Sequence, residues 1–220
     1  MPPRKSAKPA VVVRTIGHST RPLEEFLELL KTHGVTELID VRTVPRSRHN
    51  PQFNKESLPD ALQSAGLSYR HMPGLGGLRR PRPDSPNGAW RNLSFRGYAD
   101  YMQTPEFAEN LDELMTEARR KRVAIMCAEA VPWRCHRSLI ADALVVRGFE
   151  VEHIMSATRT DPHTLRPWAV VKGKRITYPA AENADTSEAG ATDSGERATG
   201  PERKSKSPGP GRKLSKKADR

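Results

Sequence analysis

Short apolar runs alternate along the chain with amphipathic segments. Five runs have the length and the β-branched content of buried strands, and they cover residues 11–17, 36–42, 67–72, 123–129 and 149–155. Between them, apolar side chains recur at helical spacing, as Leu23, Phe26, Leu27 and Leu30 do. The pattern predicts helices over the segments 22–34, 54–66 with an interruption near Pro59, 104–118 with an earlier start near Gly97, and 135–148.

Strands that alternate with helices favour a parallel sheet covered on both faces. We therefore predict a single three-layer α/β domain over residues 11–178, Rossmann-like, with a mostly parallel sheet of about five strands. Residues 73–97 lack periodicity and are rich in Pro, Gly and Arg, which predicts a loop. Residues 168–179 are expected to add an edge hairpin.

The two ends of the chain have a different composition. Residues 1–10 and 179–220 contain few large apolar side chains, so we predict that both are disordered. The net charge of the chain is +11, and residues 201–220 hold eight Lys and Arg against Glu202 and Asp219. A basic tail of this kind attracts nucleic acid, although it can equally serve solubility alone.

Several classes of protein do not fit the sequence. No secretory signal and no run long enough to span a membrane is visible, so we expect a cytoplasmic protein without a membrane partner. Its two cysteines are then expected to be free thiols. The segment 74–77 is glycine-rich but does not open a helix, and no Walker loop is present, so the sequence indicates no particular cofactor. It does not indicate an oligomeric state either.

Polar side chains follow four of the predicted strands. His18 follows the first strand, Asp40 and Arg42 the second, His71 the third, and Cys127 with Glu129 the fourth. Ligands of open parallel sheets bind outside the carboxyl ends of the strands, so these residues predict a site. Structural alternatives remain open, because His18 can bond a loop carbonyl and Asp40 can form an ion pair that only holds the fold.

The segment 127–137 carries the strongest signal. Cys135, His136 and Arg137 open a predicted helix, whose free N–H groups favour an anion and a thiolate. Arg134 and Arg137 add positive charge, and Glu129 or Asp40 can act as a general acid or base. Cys127 would be a nucleophile only if its pKa were depressed. Alternatively, Arg137 pairs with Glu129 or Asp40 merely to hold the loop to the sheet.

A metal site would use Cys127, Cys135 and His136, with His18 as a further ligand. Structural zinc sites usually show closely spaced cysteine pairs, whereas here seven residues separate the cysteines. On this spacing we predict no metal.

The motifs together resemble one family. Gly17-His18-Ser19, Asp40-Val41-Arg42 with Pro45, Ser47 and Arg48, Tyr69 with Pro73–Gly77, and the segments 127–129 and 135–137 occur in the order found in the domain of unknown function numbered 488. The resemblance covers roughly residues 11–172. It implies nine motif residues, which are His18, Asp40, Arg42, Ser47, Cys127, Glu129, Cys135, His136 and Arg137. It implies no settled reaction.

Two functions fit these features. The first is an enzyme acting on a nucleotide or another phosphate-bearing ligand. It would use Cys127, Glu129, Asp40 and His18 for catalysis, and Arg42, Ser47, Arg134, Cys135, His136 and Arg137 to bind the ligand. The second is a non-catalytic module that binds nucleotides or nucleic acid, assisted by the basic tail.

Overall fold

The computed structural model describes residues 10–180, which form eight β-strands and five α-helices. In chain order the strands are β1 Val12–Gly17, β2 Glu37–Asp40, β3 Ser68–His71, β4 Val123–Cys127, β5 Glu150–Ser156, β6 Arg159–Pro162, β7 Val170–Lys172 and β8 Arg175–Thr177. The helices are α1 Leu23–Thr32, α2 Leu58–Ser64, α3 Leu93–Tyr101, α4 Pro105–Arg120 and α5 Arg137–Val145. The predicted disordered ends lie outside the described residues, apart from a few residues at their inner borders.

Six of the strands form one sheet in the order β3-β2-β4-β1-β5-β6. The first five are parallel to one another, and β6 pairs antiparallel with β5 at the edge. The predicted sheet of about five mostly parallel strands is therefore confirmed, with one additional edge strand. The hairpin expected at 168–179 exists as β7 and β8, but it forms a separate two-stranded sheet.

Each face of the sheet is covered by its own apolar cluster, which confirms the three-layer arrangement. On one face, α1 and α2 bury Phe26, Leu30, Leu58 and Leu62. On the other face, α3, α4 and α5 bury Tyr98, Phe107, Leu111, Leu114, Leu139 and Leu144. Strand β4 serves both clusters because its side chains alternate between them: Val123 and Ile125 face one, Ala124 and Met126 the other.

Three helix starts differ from the prediction. Helix α2 begins at Leu58, so Pro59 lies in its first turn, where it is tolerated, and does not interrupt it. Helix α3 begins at Leu93, inside the predicted loop, because the Asn92 side chain accepts hydrogen bonds from the main-chain N–H groups of Ser94 and Phe95.

The third difference affects the candidate site. Helix α5 begins at Arg137, two residues later than predicted, because a 3-10 turn at Pro132–Arg134 and an extended Cys135 precede it. Eight of its nine residues, from Arg137 to Leu144, are buried. Among residues 10–180, no helix combines the length and the apolar character needed to cross a membrane.

Candidate functional site

The carboxyl ends of β1, β2 and β4 are adjacent, as the sequence predicts. Gly17 lies beside Cys127 and Asp40 beside Met126 in the parallel register. Main-chain pairing continues past the strand ends, since the N–H of His18 donates to the carbonyl of Cys127 at 3.0 Å. The segments that follow the three strands therefore enclose a common space.

Two adjoining cavities occupy that space, with volumes of about 410 and 520 Å³. Both values lie in the range of roughly 300–1,000 Å³ found for small-molecule sites. The cavities share part of their lining, namely Arg42, Val44, Ala128, Glu129 and Arg134. We call the two together the crevice. Its first half also contains Leu78, Phe95, Cys127, Cys135 and His136, and its second half His18, Ser19, Arg46, Ser47 and Asn50.

Asp40 and Arg42 form a buried ion pair at the wall of the crevice, with Arg42 in the lining and Asp40 behind it. The Arg42 Nε and Nη2 atoms donate to the two carboxylate oxygens of Asp40 at 2.9 and 2.6 Å. Arg42 Nη2 also donates to the Phe53 carbonyl at 2.7 Å, and the Tyr69 hydroxyl donates to Asp40 at 3.0 Å. The Asp40 side chain is fully buried. Its oxygens are thus occupied by the protein itself, which favours the structural alternative for this pair.

His18 is bound on both ring nitrogens. Its Nδ1 lies 2.8 Å from the Ser19 carbonyl, which can only accept, so Nδ1 carries the proton. Its Nε2 then accepts from Arg42 Nη1 at 3.2 Å, and the ring stacks on Phe53 with centroids 4.4 Å apart. Burial, reinforced by the Arg42 charge, lowers the pKa of His18 to about 4. His18 is therefore neutral at pH 7 without a free lone pair, and its catalytic role stays a prediction.

Arg137 points into the fold and does not line the crevice. Its guanidinium donates to Thr15 Oγ1 at 3.1 Å and to the main-chain carbonyl of Glu129, with a longer contact to the Ala130 carbonyl. The side chain is buried, and its Nε has no hydrogen-bond partner among the described residues. The loop is thus held to the sheet, as the structural alternative states, but through main-chain carbonyls and a hydroxyl and not through a carboxylate.

The two cysteines and His136 form a compact group at the floor of the first half. The His136 Nδ1 lies 3.9 Å from the sulfur of Cys127 and 3.7 Å from that of Cys135. Its Nε2 lies 3.2 Å from the Val41 carbonyl. A Cβ added at Gly77 would come within 2.6 Å of His136 Nδ1, so the glycine-rich segment packs directly against the ring. Both thiols are free and buried.

The pKa values of the two thiols are shifted in opposite directions. Hydrogen bonding from Cys127 holds the pKa of Cys135 well below its usual range, with the Arg137 charge contributing. Hydrogen bonding to Cys135 and burial raise the pKa of Cys127. Cys127 therefore does not meet the condition set for a nucleophile, and Cys135 is the sulfur that ionises first.

Exposed charges line the boundary between the two halves. Glu129 and Arg134 lie at the surface and contact both cavities, and Arg46 is exposed at the second. None of the three forms a salt bridge within residues 10–180. Their charges are consequently available to a ligand.

Of the ten residues predicted for the site, eight line the crevice: His18, Arg42, Ser47, Cys127, Glu129, Arg134, Cys135 and His136. Asp40 and Arg137 support it from behind. The prediction missed Arg46, although it lies inside the Pro45–Arg48 motif, and Phe95, which was assigned to a loop. A signal for Phe95 was present in Asn92, a residue type that often caps helices.

The comparison with family models gives one match. The family described as "Domain of unknown function DUF488" matches residues 22–144, more than half of the chain, and this span includes the whole 127–137 segment. No curated protein and no solved structure matches the chain.

Proposed function

The chain belongs to the family described as domain of unknown function DUF488, and on that premise we propose that it is an enzyme acting on a nucleotide or a similar phosphate-bearing ligand. The observation that carries the proposal is the division of the crevice into two chemically different halves. The second half carries positive charge and hydrogen-bonding groups, which suit a phosphate. The first half carries Phe95 and Leu78, which suit the flat face of a base.

The phosphate would lie between Arg46 and Arg134, whose guanidinium groups form no salt bridge within residues 10–180 and can make bidentate hydrogen bonds. Ser47 and Asn50 would supply neutral partners beside them. Arg42 adds positive charge from below, but four of its five side-chain N–H groups already donate to Asp40, Phe53 and His18. Binding of the anion is thus expected to depend chiefly on Arg46 and Arg134.

The reacting end of the ligand would face the group formed by Cys127, Cys135 and His136. Glu129 stands at the boundary of the two halves, where its exposed carboxylate can accept or return a proton. Chemistry is therefore expected where the apolar half meets Glu129, and not at His18 or Asp40, whose hydrogen-bonding atoms are occupied.

Thermal unfolding of the full chain with a panel of anions tests the binding step. A ligand that binds only the folded state at about 100 times its Kd adds about 2.7 kcal/mol, or roughly 5–10 °C in Tm for a domain of this size. A nucleoside monophosphate is expected to raise Tm more than phosphate, and phosphate more than an uncharged nucleoside. Arg46→Gln and Arg134→Gln should each reduce the rise.

Arg120→Gln is the matched control. Arg120 is an exposed arginine at the end of α4, three residues before β4 begins, so it lies at the opposite edge of the sheet. The control should leave the ligand-induced rise unchanged. A wild-type protein indifferent to phosphate, sulfate and nucleotides would overturn the proposal, and so would equal losses in Arg120→Gln and Arg134→Gln.

Turnover needs its own measurement. The ligand that gives the largest rise is incubated with the protein, and its products are followed by mass spectrometry. Glu129→Gln should keep the rise in Tm and lose turnover, because it removes the acid–base group from an exposed position without emptying the anion site. Binding without any turnover would favour the non-catalytic module.

A further inference from the structure

We propose that Cys127, Cys135 and His136 form a binding site for a single zinc ion with one coordination position open to the crevice. The three ligand atoms, two sulfurs and the His136 Nδ1, all lie within 4.8 Å of one another. Binding of the ion is independent of the proposed function, whereas its use on a ligand in the crevice rests on that function.

The distances between the ligand atoms carry the argument. Zinc binds sulfur at about 2.3 Å and imidazole nitrogen at about 2.0–2.1 Å, so a tetrahedral ion separates its sulfur and nitrogen ligands by roughly 3.6 Å. In the protein, Nδ1 lies 3.7 Å from the sulfur of Cys135 and 3.9 Å from that of Cys127. Small shifts of the side chains would therefore bring all three atoms to bonding distance from one ion.

The orientation of His136 agrees with a ligand role. Its Nε2 lies 3.2 Å from the Val41 carbonyl, which can only accept a hydrogen bond, so Nε2 carries the proton. In the neutral ring this leaves the lone pair on Nδ1, on the side of the two sulfurs. Zinc-bound histidines typically donate their other N–H to a carbonyl or carboxylate, which fixes the tautomer before the metal arrives.

The surroundings leave room for a fourth ligand. All three residues line the first half of the crevice, a cavity of about 410 Å³. Zinc sites with three protein ligands and an open position are typical of catalytic zinc, and soft thiolate and imidazole ligands suit this metal.

The linear spacing argued against a metal because it lacks a close cysteine pair. In the fold, however, Cys127 ends β4, while Cys135 and His136 directly precede α5, so the ligands come from two elements that converge at the sheet edge. The ligand atoms are therefore close in the fold although the cysteines are not a close pair in the sequence. The spacing of the cysteines is thus no reason to exclude a metal.

Cobalt(II) is the probe for this site, because it replaces zinc and its tetrahedral thiolate complexes absorb in the near ultraviolet and the visible. The full chain is freed of metal with a chelator, kept reduced, and titrated with Co²⁺ alone. We expect one Co²⁺ ion to bind per chain and to give absorption bands in both the near ultraviolet and the visible. Both bands should disappear when Zn²⁺ is added. Cys127→Ser and Cys135→Ser should each weaken the charge-transfer band, and His136→Gln should reduce affinity.

His49→Ala is the matched control for adventitious binding, since His49 is an exposed histidine outside the group. It should retain the spectrum. Absence of the bands in wild type, or bands that persist in both cysteine variants, would overturn the inference.

A second measurement uses only the wild type, so its result does not depend on whether a variant folds. In the wild type, one equivalent of Zn²⁺ should slow alkylation of both thiols by about tenfold or more, because a metal-bound sulfur must first be released. An unchanged alkylation rate would also overturn the inference. The nucleotide-induced rise in Tm is measured on metal-free protein, so a failure of zinc binding leaves the proposed function to be judged separately.

Discussion

Arg137 offers the sharpest test of how the candidate site is held together. The guanidinium is buried, and it connects Thr15 on β1 to the main-chain carbonyl of Glu129 in the loop. Replacement by methionine keeps an unbranched apolar chain and removes the charge with its donors. Each hydrogen bond to a charged group contributes about 1.5–3 kcal/mol, and relief of the buried charge offsets part of the loss. We expect Arg137→Met to lower the free energy of unfolding by about 3 kcal/mol.

Arg134→Met is the matched control, because it makes the same substitution three residues earlier at an exposed side chain. Exposed substitutions usually change stability by less than about 0.5 kcal/mol. Arg137→Lys should lie between the two, since one ammonium keeps the charge but cannot donate to both partners in the same geometry.

Urea unfolding at pH 7.5 gives the free energy of unfolding of all three variants. The rise in Tm caused by phosphate then distinguishes a residue that stabilises the fold from one that binds the anion. The rise should persist in Arg137→Met, provided that the variant folds, and it should be reduced in Arg134→Met. A loss of less than about 1 kcal/mol in Arg137→Met would refute the structural role. Loss of the phosphate effect in Arg137→Met alone would return Arg137 to the binding site.

Three further perturbations test other parts of the fold and the tail. Burial, with the nearby His163 and Arg137 charges, lowers the pKa of His153 from 6.5 to about 4. Its neutral form therefore stabilises the fold above pH 6.5, and this contribution is lost as the pH falls from 6.5 towards 4. Wild type should lose about 2 kcal/mol more than His153→Gln between pH 7 and pH 4 in urea unfolding, and parallel profiles would contradict this. In Gly17→Ala, the new Cβ would overlap the main-chain carbonyl of Glu129, so we expect a loss of about 3 kcal/mol or more, and a change below 0.5 kcal/mol would show that the loop can move aside. Deletion of residues 181–220 should weaken DNA binding and flatten its salt dependence, whereas unchanged binding would exclude the tail from that role.

The order of elements could be predicted because the central strands β2 and β4 are buried throughout and read as apolar runs. Strand β6 gave no such signal, because its residues, Arg159–Pro162, are partly or fully exposed and pair with β5 through the main chain. Helix α3 was assigned partly to a loop, because its first turn depends on the Asn92 side chain and not on apolar periodicity.

The position of the site was predictable, but the direction of its side chains was not. A helix beginning at Cys135 would place Arg137 in its third position, whereas α5 begins at Arg137 itself. No pattern in the sequence specifies the extended Cys135 that precedes α5, and none shows that Thr15 and the Glu129 carbonyl accept hydrogen bonds from the guanidinium. Arg137 was therefore expected to face the crevice.

The motif residues fall into two groups, which differ in how far their polar atoms are already hydrogen-bonded within the protein. Asp40, Arg42 and His18 bond to one another, and Arg137 bonds to the loop, so their donors and acceptors are largely satisfied within the protein. A buried polar group that is already satisfied gains little from a ligand, because binding would first break a native hydrogen bond.

The atoms that remain available are different in kind. Cys127, Cys135 and His136 present two sulfurs and a ring nitrogen to the crevice, and the nitrogen lies 3.7 and 3.9 Å from the two sulfurs. Such a group gains more from a metal ion or from a reacting ligand atom than the satisfied buried charges do, because thiolate and imidazole are strong metal ligands. The buried charges thus fix the geometry of the crevice, and the proposed reactivity depends on the sulfur and imidazole atoms beside them.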